Sequence, residues 1–133
     1  MLYSMWTNYI SNDKQWPSIF GENYAPKKIN ISHTLLLDKS VVIKLHCPLE
    51  NTPCPKKWIE KNYNECEFDL TINGVITMEI NNFNIHGSIE LKIEKTGDDC
   101  KIEVTTSNNC KITCEARQVY VSNIKAYNND GSA

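Results

Sequence analysis

Alternation of apolar and polar residues with a period of two runs through most of the chain after residue 28. Between residues 66 and 72, cysteine, phenylalanine, leucine and isoleucine alternate with glutamate, aspartate and threonine. Successive side chains of a β-strand point to opposite faces, so this pattern predicts strands with one buried and one solvated face. The same pattern recurs in residues 29–37, 41–47, 75–80, 89–94, 100–105 and 110–114 and around Val119, Val121 and Ile124.

Short turn signals separate these apolar stretches. Residues 38–40, 96–99 and 107–109 are rich in Asp, Asn, Gly and Ser. Asn73-Gly74 is the strongest hairpin signal, because both central positions of a type I′ turn need a positive φ angle. Short connections favour antiparallel pairing. The sequence therefore predicts a mainly β fold, an antiparallel meander of about eight strands at roughly ten-residue spacing that forms a sandwich or a strongly curved sheet.

Two segments fall outside the alternation. The N-terminal segment favours one or two helical turns around Met5–Ile10 and Trp16–Phe20. Three prolines between residues 48 and 55 exclude a central strand there. We expect one domain over residues 1–130, and we interpret residues 131–133 (Gly-Ser-Ala) as a cloning remnant.

Composition and charge exclude several classes of protein. The 133 residues are 41% hydrophobic and 23% charged, which is typical of a globular domain rather than a disordered chain. The net charge of −2 gives no basic field for nucleic acid. No stretch approaches the roughly 18 apolar residues of a membrane span. The first residues also lack the pattern of a secretory signal, so we expect a cytoplasmic protein without nucleic-acid or membrane partners.

Cysteine usage favours buried thiols over disulfides or metal. The six cysteines are Cys47, Cys54, Cys66, Cys100, Cys110 and Cys114. At least four share the inward parity of predicted strands, where a free thiol behaves as a small hydrophobe. Cys110 and Cys114 would lie about 13 Å apart along a strand, too far to share a zinc ion. Cys47 and Cys54 flank the proline-rich loop but would need a distant third ligand, so we expect no metal site.

The sequence contains no pattern typical of catalysis or of a cofactor site. G-x-S-x-G, H-E-x-x-H, P-loop and G-x-G-x-x-G motifs are all absent. His46 and Cys47 are neighbours in a predicted strand, so their side chains point to opposite faces and do not form a catalytic pair. We expect no catalytic residues and no cofactor, which favours a binding protein over an enzyme.

A row of carboxylates is the first candidate for a binding surface. Glu65, Glu67 and Asp69 share the outward face of one predicted strand, and Glu90 lies on the outward face of another. We expect them to be solvated, without the raised pKa that a glycosidase acid needs. The structural interpretation is that the row is an ordinary solvated face of the sheet. The functional interpretation is that it is an acidic surface that attracts and orients a basic partner.

Aromatic residues outside the strands are the second candidate. Trp6, Trp16, Phe20 and Trp58 lie near the N-terminus and the proline-rich loop. The structural interpretation is that they cap the open end of the sheet. The functional interpretation is that Trp58 forms a hydrophobic anchor beside the acidic row, as aromatic residues do at many interfaces.

Short segments along the chain resemble a known family. They are Trp16-Pro17-Ser18-Ile19-Phe20-Gly21, the P-K-K-W sequence at 55–58, Tyr63-Asn64 and the closing Ile124-Lys125-Ala126-Tyr127. Together they resemble the immunity protein 50 family of bacterial polymorphic toxin systems, over roughly residues 6–127. The resemblance implies a non-enzymatic protein that binds the C-terminal domain of a cognate toxin and either occludes its active site or distorts its fold. Without an export signal, it also implies a toxin that acts in the cytoplasm.

The sequence thus leads to one preferred function and one alternative. We expect an immunity protein, a monomer or weak homodimer, that neutralises its toxin by direct binding. The expected toxin-binding residues are Glu65, Glu67, Asp69, Glu90 and Trp58. The alternative is a small-molecule or glycan-binding β module, since about eight strands can close around one ligand. Large inward residues favour a filled core over such a cavity.

Overall fold

The computed structural model describes residues 6–11, 15–21, 24–49 and 53–129. The strands are β1 (Ile29–Leu36), β2 (Ser40–Pro48), β3 (Glu65–Asn81), β4 (Gly87–Thr96), β5 (Asp99–Thr106) and β6 (Lys111–Tyr127). A 3-10 turn (Trp6–Tyr9) and helix α1 (Gln15–Phe20) precede them, and helix α2 (Lys56–Glu60) follows β2. The N-terminal helical turns agree with the prediction, although Met5 and the proposed cloning remnant lie outside the described residues. Helix α2, in the proline-rich loop, was not predicted.

The strands form one antiparallel sheet that closes into a barrel in the order β1-β2-β3-β6-β5-β4. The prediction of a mainly β, antiparallel fold is confirmed. There are six strands rather than about eight, because β3 and β6 each run for 17 residues. Each of them contains two of the apolar stretches that the sequence pattern separates.

The predicted hairpin at Asn73-Gly74 is wrong, because β3 continues through it. Gly74 does have a positive φ of 66°, but it lies opposite Arg117 inside the β3–β6 ladder. Between Val75 and Thr77 the register with β6 shifts by one residue. A glycine with positive φ is a common feature of such a β-bulge, which bends a strand without reversing it.

The bend of β3 at Gly74 divides the barrel into two halves. One half contains β1, β2, β3 and β6, and the other contains β3, β6, β5 and β4. In one half, residues 65–73 of β3 pair with β2 and with the C-terminal part of β6. In the other, residues 75–81 of β3 pair with the start of β6, which in turn pairs with β5. A short ladder between residues 29–31 of β1 and 87–89 of β4 closes the barrel.

Apolar side chains fill the interior of the barrel. Phe68 is fully buried and lies between two tryptophans of the N-terminal segment, stacked on Trp6 with ring centroids 5.8 Å apart and edge-on to Trp16 at 5.1 Å. Phe20 contacts Trp16 at 4.5 Å and Trp58 at 5.9 Å. The aromatic residues outside the strands are therefore core residues, as the structural interpretation of the sequence proposes.

The cysteines are free thiols, and most are buried. Five of the six are buried and Cys54 is half-buried. Cys47 and Cys66 are cross-strand neighbours with sulfur atoms 3.5 Å apart. The hydrogen bond to Cys47, together with burial, raises the pKa of Cys66, and burial raises the pKa of Cys114 to about 11. In the described part of the chain, no three His, Cys, Asp or Glu residues group as metal ligands do.

The helices of the described residues are all short. None of them is long and apolar enough to cross a membrane. Helix α1 has 6 residues and α2 has 5, so each makes little more than one turn. Both serve to place aromatic side chains, because each contributes a buried tryptophan, Trp16 from α1 and Trp58 from α2.

Candidate functional site

The acidic row of β3 is flanked by basic side chains from both neighbouring strands. Glu65 and Glu67 alternate with buried residues of β3, as the sequence predicts, whereas Asp69 at the next outward position is itself buried. The β2–β3 ladder sets Lys44 opposite Asp69, and the β3–β6 ladder sets Lys125 opposite Glu67. Such cross-strand pairs of opposite charge stabilise a sheet.

Ion pairs and hydrogen bonds hold the carboxylates of Glu67 and Asp69. Lys44 Nζ lies 2.9 Å from Glu67 Oε2 and 3.5 Å from Asp69 Oδ1. Its hydrogen bond to Glu67 raises the pKa of Lys44. Asn123 Nδ2 donates to Asp69 Oδ2 at 2.8 Å. The side chains of Glu67 and Asp69 are only 20% and 13% exposed. The expectation of a solvated row is therefore wrong for Glu67 and Asp69, because Lys44 lies against both carboxylates.

Glu65 lies at the end of the row inside a hydrogen-bonded cluster. Its Oε1 is 2.8 Å from His46 Nδ1 and accepts a hydrogen bond from the Tyr127 hydroxyl at 3.1 Å, while Asn129 Nδ2 donates to Oε2 at 3.0 Å. Burial alone would raise the pKa of the Glu65 carboxyl. Hydrogen bonds from Asn129, His46 and Tyr127 outweigh burial and hold this pKa below its ordinary value.

This lowered pKa predicts a contribution of Glu65 to acid stability. A carboxylate with a lowered folded-state pKa stabilises the protein fully above its unfolded pKa, and the contribution is lost as the pH falls through the folded-state pKa. Between about pH 5 and pH 3 we expect the free energy of unfolding to fall more steeply for the wild type than for Glu65→Gln. Urea unfolding at a series of pH values measures this. Glu90→Gln, at an exposed position of β4, is the control and should follow the wild type. Parallel curves for the wild type and Glu65→Gln would contradict the assignment.

Of the other two predicted site residues, Glu90 lies apart from the row and Trp58 lies beneath the surface. Glu90 is on β4, three strands from β3 in either direction around the barrel, so the structure places it on the opposite wall. Trp58 is only 8% exposed, and its ring packs edge-on against Phe20. It is near the row but does not project from the surface as an anchor.

Trp58 instead forms the floor of a cleft between α2 and the C-terminal part of β6. We call this cavity of about 390 Å³ the α2 cleft. Its apolar lining includes Trp58, Tyr63 and Ile124, and its lysines are Lys57, Lys61 and Lys125. The cleft exists because α2 is a single helical turn. Asn62, with φ of 58°, reverses the chain, and the Tyr63 N–H then bonds back to the Trp58 carbonyl at 3.0 Å.

The lysines of the α2 cleft are functional candidates that sequence reasoning missed. Lys57 and Lys61 are four residues apart, which places both on one side of a helical turn. Interpreting residues 48–58 only as a proline-rich loop hid this spacing. Lys125 enters the cleft from β6, and only the register of β6 against β3 reveals that position.

A second exposed feature lies at the β1–β2 turn, and we call it the hairpin patch. It consists of Leu35, Leu36 and Leu37, between 52% and 59% exposed. Leu35 and Leu37 share the sequence parity of the buried Ile29 and Ile31 but are exposed, since a register shift between Ile31 and His33 reverses the parity of β1. Exposed apolar patches often mark interaction surfaces.

Comparison with known families settles which group the chain belongs to. The sequence profile described as Immunity protein 50 matches residues 12–127. The chain belongs to the immunity protein 50 family. The match spans both halves of the barrel, α1, α2 and the α2 cleft, and it agrees with the resemblance noted in the sequence. No curated protein and no solved structure matches the chain significantly. Membership of the immunity protein 50 family suggests an immunity protein, a type of protein that is generally not an enzyme.

Proposed function

We propose that this member of the immunity protein 50 family binds a cognate bacterial toxin domain in the cytoplasm and neutralises it by direct occlusion. The observation that carries the proposal is the family match over residues 12–127. The filled interior of the barrel supports it, because the packed core side chains leave the outer surface as the place where a partner binds. The partially buried row on β3 adds a polar surface whose carboxylates are held by charge-assisted hydrogen bonds.

The proposed contact lies on the wall that carries Glu65, Glu67, Asp69 and the α2 cleft with Trp58. A standard interface buries about 800 Å² on each partner. The described residues expose 8272 Å² in all, so such a contact covers about a tenth of the surface. One contact centred on β3 therefore does not reach Glu90 on the opposite wall, and we leave that residue out of the proposal.

The test of the function is a growth assay with the toxin candidate encoded beside this gene. Its C-terminal domain is expressed from an inducible promoter, with and without the immunity protein. We expect growth arrest that only co-expression of this chain relieves, and a complex of the two purified proteins. A harmless neighbour, or toxicity that this chain leaves unchanged, would contradict the proposal.

The test of the site is charge reversal with a matched control. Glu67→Lys with Asp69→Lys places new ammonium groups beside Lys44, so we expect the dissociation constant for the toxin to rise at least about 30-fold. Glu90→Lys with Glu94→Lys makes the same change in net charge on the opposite wall. This control should change the dissociation constant by less than about threefold. Calorimetry gives both affinities, and a thermal melt of each variant shows whether it is folded. Equal affinities for two folded variants would exclude the β3 row.

A further inference from the structure

Two lysines of the α2 cleft, Lys57 and Lys61, carry positive charge that no acidic group of the described residues neutralises. Lys125 lies 3.9 Å from Glu67, whose closer partner is Lys44, and the Lys125 side chain is 64% exposed. Among the residues that the structure describes, neither Lys57 nor Lys61 has an acidic group within ion-pair distance. Glu60, on the same helix, forms no ion pair with them in this part of the chain. Lys125 is thus shared between the acidic row and the α2 cleft, whereas Lys57 and Lys61 form no ion pair with a described residue.

The floor of the cleft has a different chemistry from its rim. Trp58, Tyr63 and Ile124 present ring and aliphatic surface beneath the lysines. Lys61 Nζ lies 5.9 Å from the centre of the Tyr63 ring, so its ammonium group sits over an aromatic face. The volume of about 390 Å³ lies within the range of clefts that enclose ligand groups. An occupant that satisfies both surfaces needs an anionic group for the rim and an apolar group for the floor.

We propose that the α2 cleft receives an acidic segment of the toxin, with a carboxylate between Lys57 and Lys61 and an adjacent aromatic or aliphatic side chain on the floor. This inference rests on the proposed function and adds the chemistry of the partner. The partner surface is acidic where it meets the cleft, rather than basic as the acidic row alone would suggest. Because Lys125 borders both features, one toxin surface contacts the cleft and the row together.

The experiment is charge reversal at the rim, measured on the full-length protein and its toxin domain. For Lys57→Glu with Lys61→Glu we expect the dissociation constant to rise about 100-fold. Lys92→Glu with Lys95→Glu, at exposed positions of β4, makes the same change in net charge. This control should change the dissociation constant by less than about threefold. The association rate of the wild type should fall with rising salt, and that of the cleft variant should fall less. All four substituted lysines are exposed, and circular dichroism shows whether each variant is folded.

A charge exchange then identifies the partner group. A toxin in which one surface Asp or Glu is changed to Lys should bind the wild type weakly and the Lys57→Glu, Lys61→Glu variant strongly. Cleft and control variants that bind the toxin equally would overturn this inference and leave the immunity function standing. A wild type that binds no toxin would overturn both. A cleft that binds inorganic phosphate while toxin affinity is unchanged in the cleft variant would assign it to a free anion instead.

Discussion

Replacing Phe68 by alanine is expected to lower the free energy of unfolding by about 3–5 kcal/mol. The Phe68 side chain is fully buried and is enclosed by Trp6 and Trp16, which belong to the N-terminal segment. Its removal leaves a cavity where the barrel meets that segment, so the substitution loses both the transfer free energy of the ring and its aromatic contacts. Urea unfolding followed by far-ultraviolet circular dichroism measures the difference.

Phe83 provides the matched control for this experiment. It is 78% exposed and lies in the connection between β3 and β4. Phe83→Ala removes the same atoms without opening a cavity, so we expect a change within about 0.5 kcal/mol. A loss below about 1 kcal/mol for Phe68→Ala would show that the barrel and the N-terminal segment do not share one core.

Replacing Gly74 by alanine should cost about 2–4 kcal/mol. A Cβ atom at this position would lie 2.7 Å from Cγ and 2.9 Å from Cβ of Arg117, closer than unbonded carbons pack. The backbone also has a φ of 66°, which residues other than glycine adopt at a cost of about 1–2 kcal/mol. Both effects act at the bend shared by the two halves of the barrel, and urea unfolding again gives the change.

Substitution of Gly97 separates the backbone cost of a positive φ from the steric cost of the contact with Arg117. Gly97 has a φ of 68°, but a Cβ atom there would meet nothing within 4 Å. Gly97→Ala should therefore show the backbone cost alone, about 1 kcal/mol. If Gly74→Ala and Gly97→Ala lose the same stability, Arg117 moves aside freely and the close packing at the bend contributes nothing.

The alternation of residues was sufficient to predict an antiparallel, mainly β protein, because period two leaves strands as the only regular structure. It could not predict where β3 ends. A glycine with positive φ is required by a type I′ turn and also fits a β-bulge, so Asn73-Gly74 carries the same local signal for both. Pairing with β6 on both sides of Gly74 decides between them, and that pairing joins distant parts of the chain.

The candidate site was predicted only in part for the same reason. The outward positions of Glu67 and Asp69 follow from parity along one strand. Their ion pairs with Lys44 and Lys125 follow from the registers of β2 and β6 against β3, which no local pattern specifies. The α2 cleft was missed because a single helical turn among prolines is too short to show a period.

The place of β6 in the barrel sets the order in which this chain becomes a folded protein. It is the last strand along the chain, yet it lies between β3 and β5. Until it leaves the ribosome, the short β1–β4 ladder is the one strand pairing of the described residues that joins the β1-β2-β3 meander to the β4–β5 hairpin. The far end of its ladder with β3 joins Tyr127 to Glu65, 62 positions away. Folds dominated by such distant pairs form in milliseconds to seconds. Under the proposed function, protection begins only after β6 has been synthesised, so a cell that makes both proteins together is safest when β6 is translated before the toxin domain.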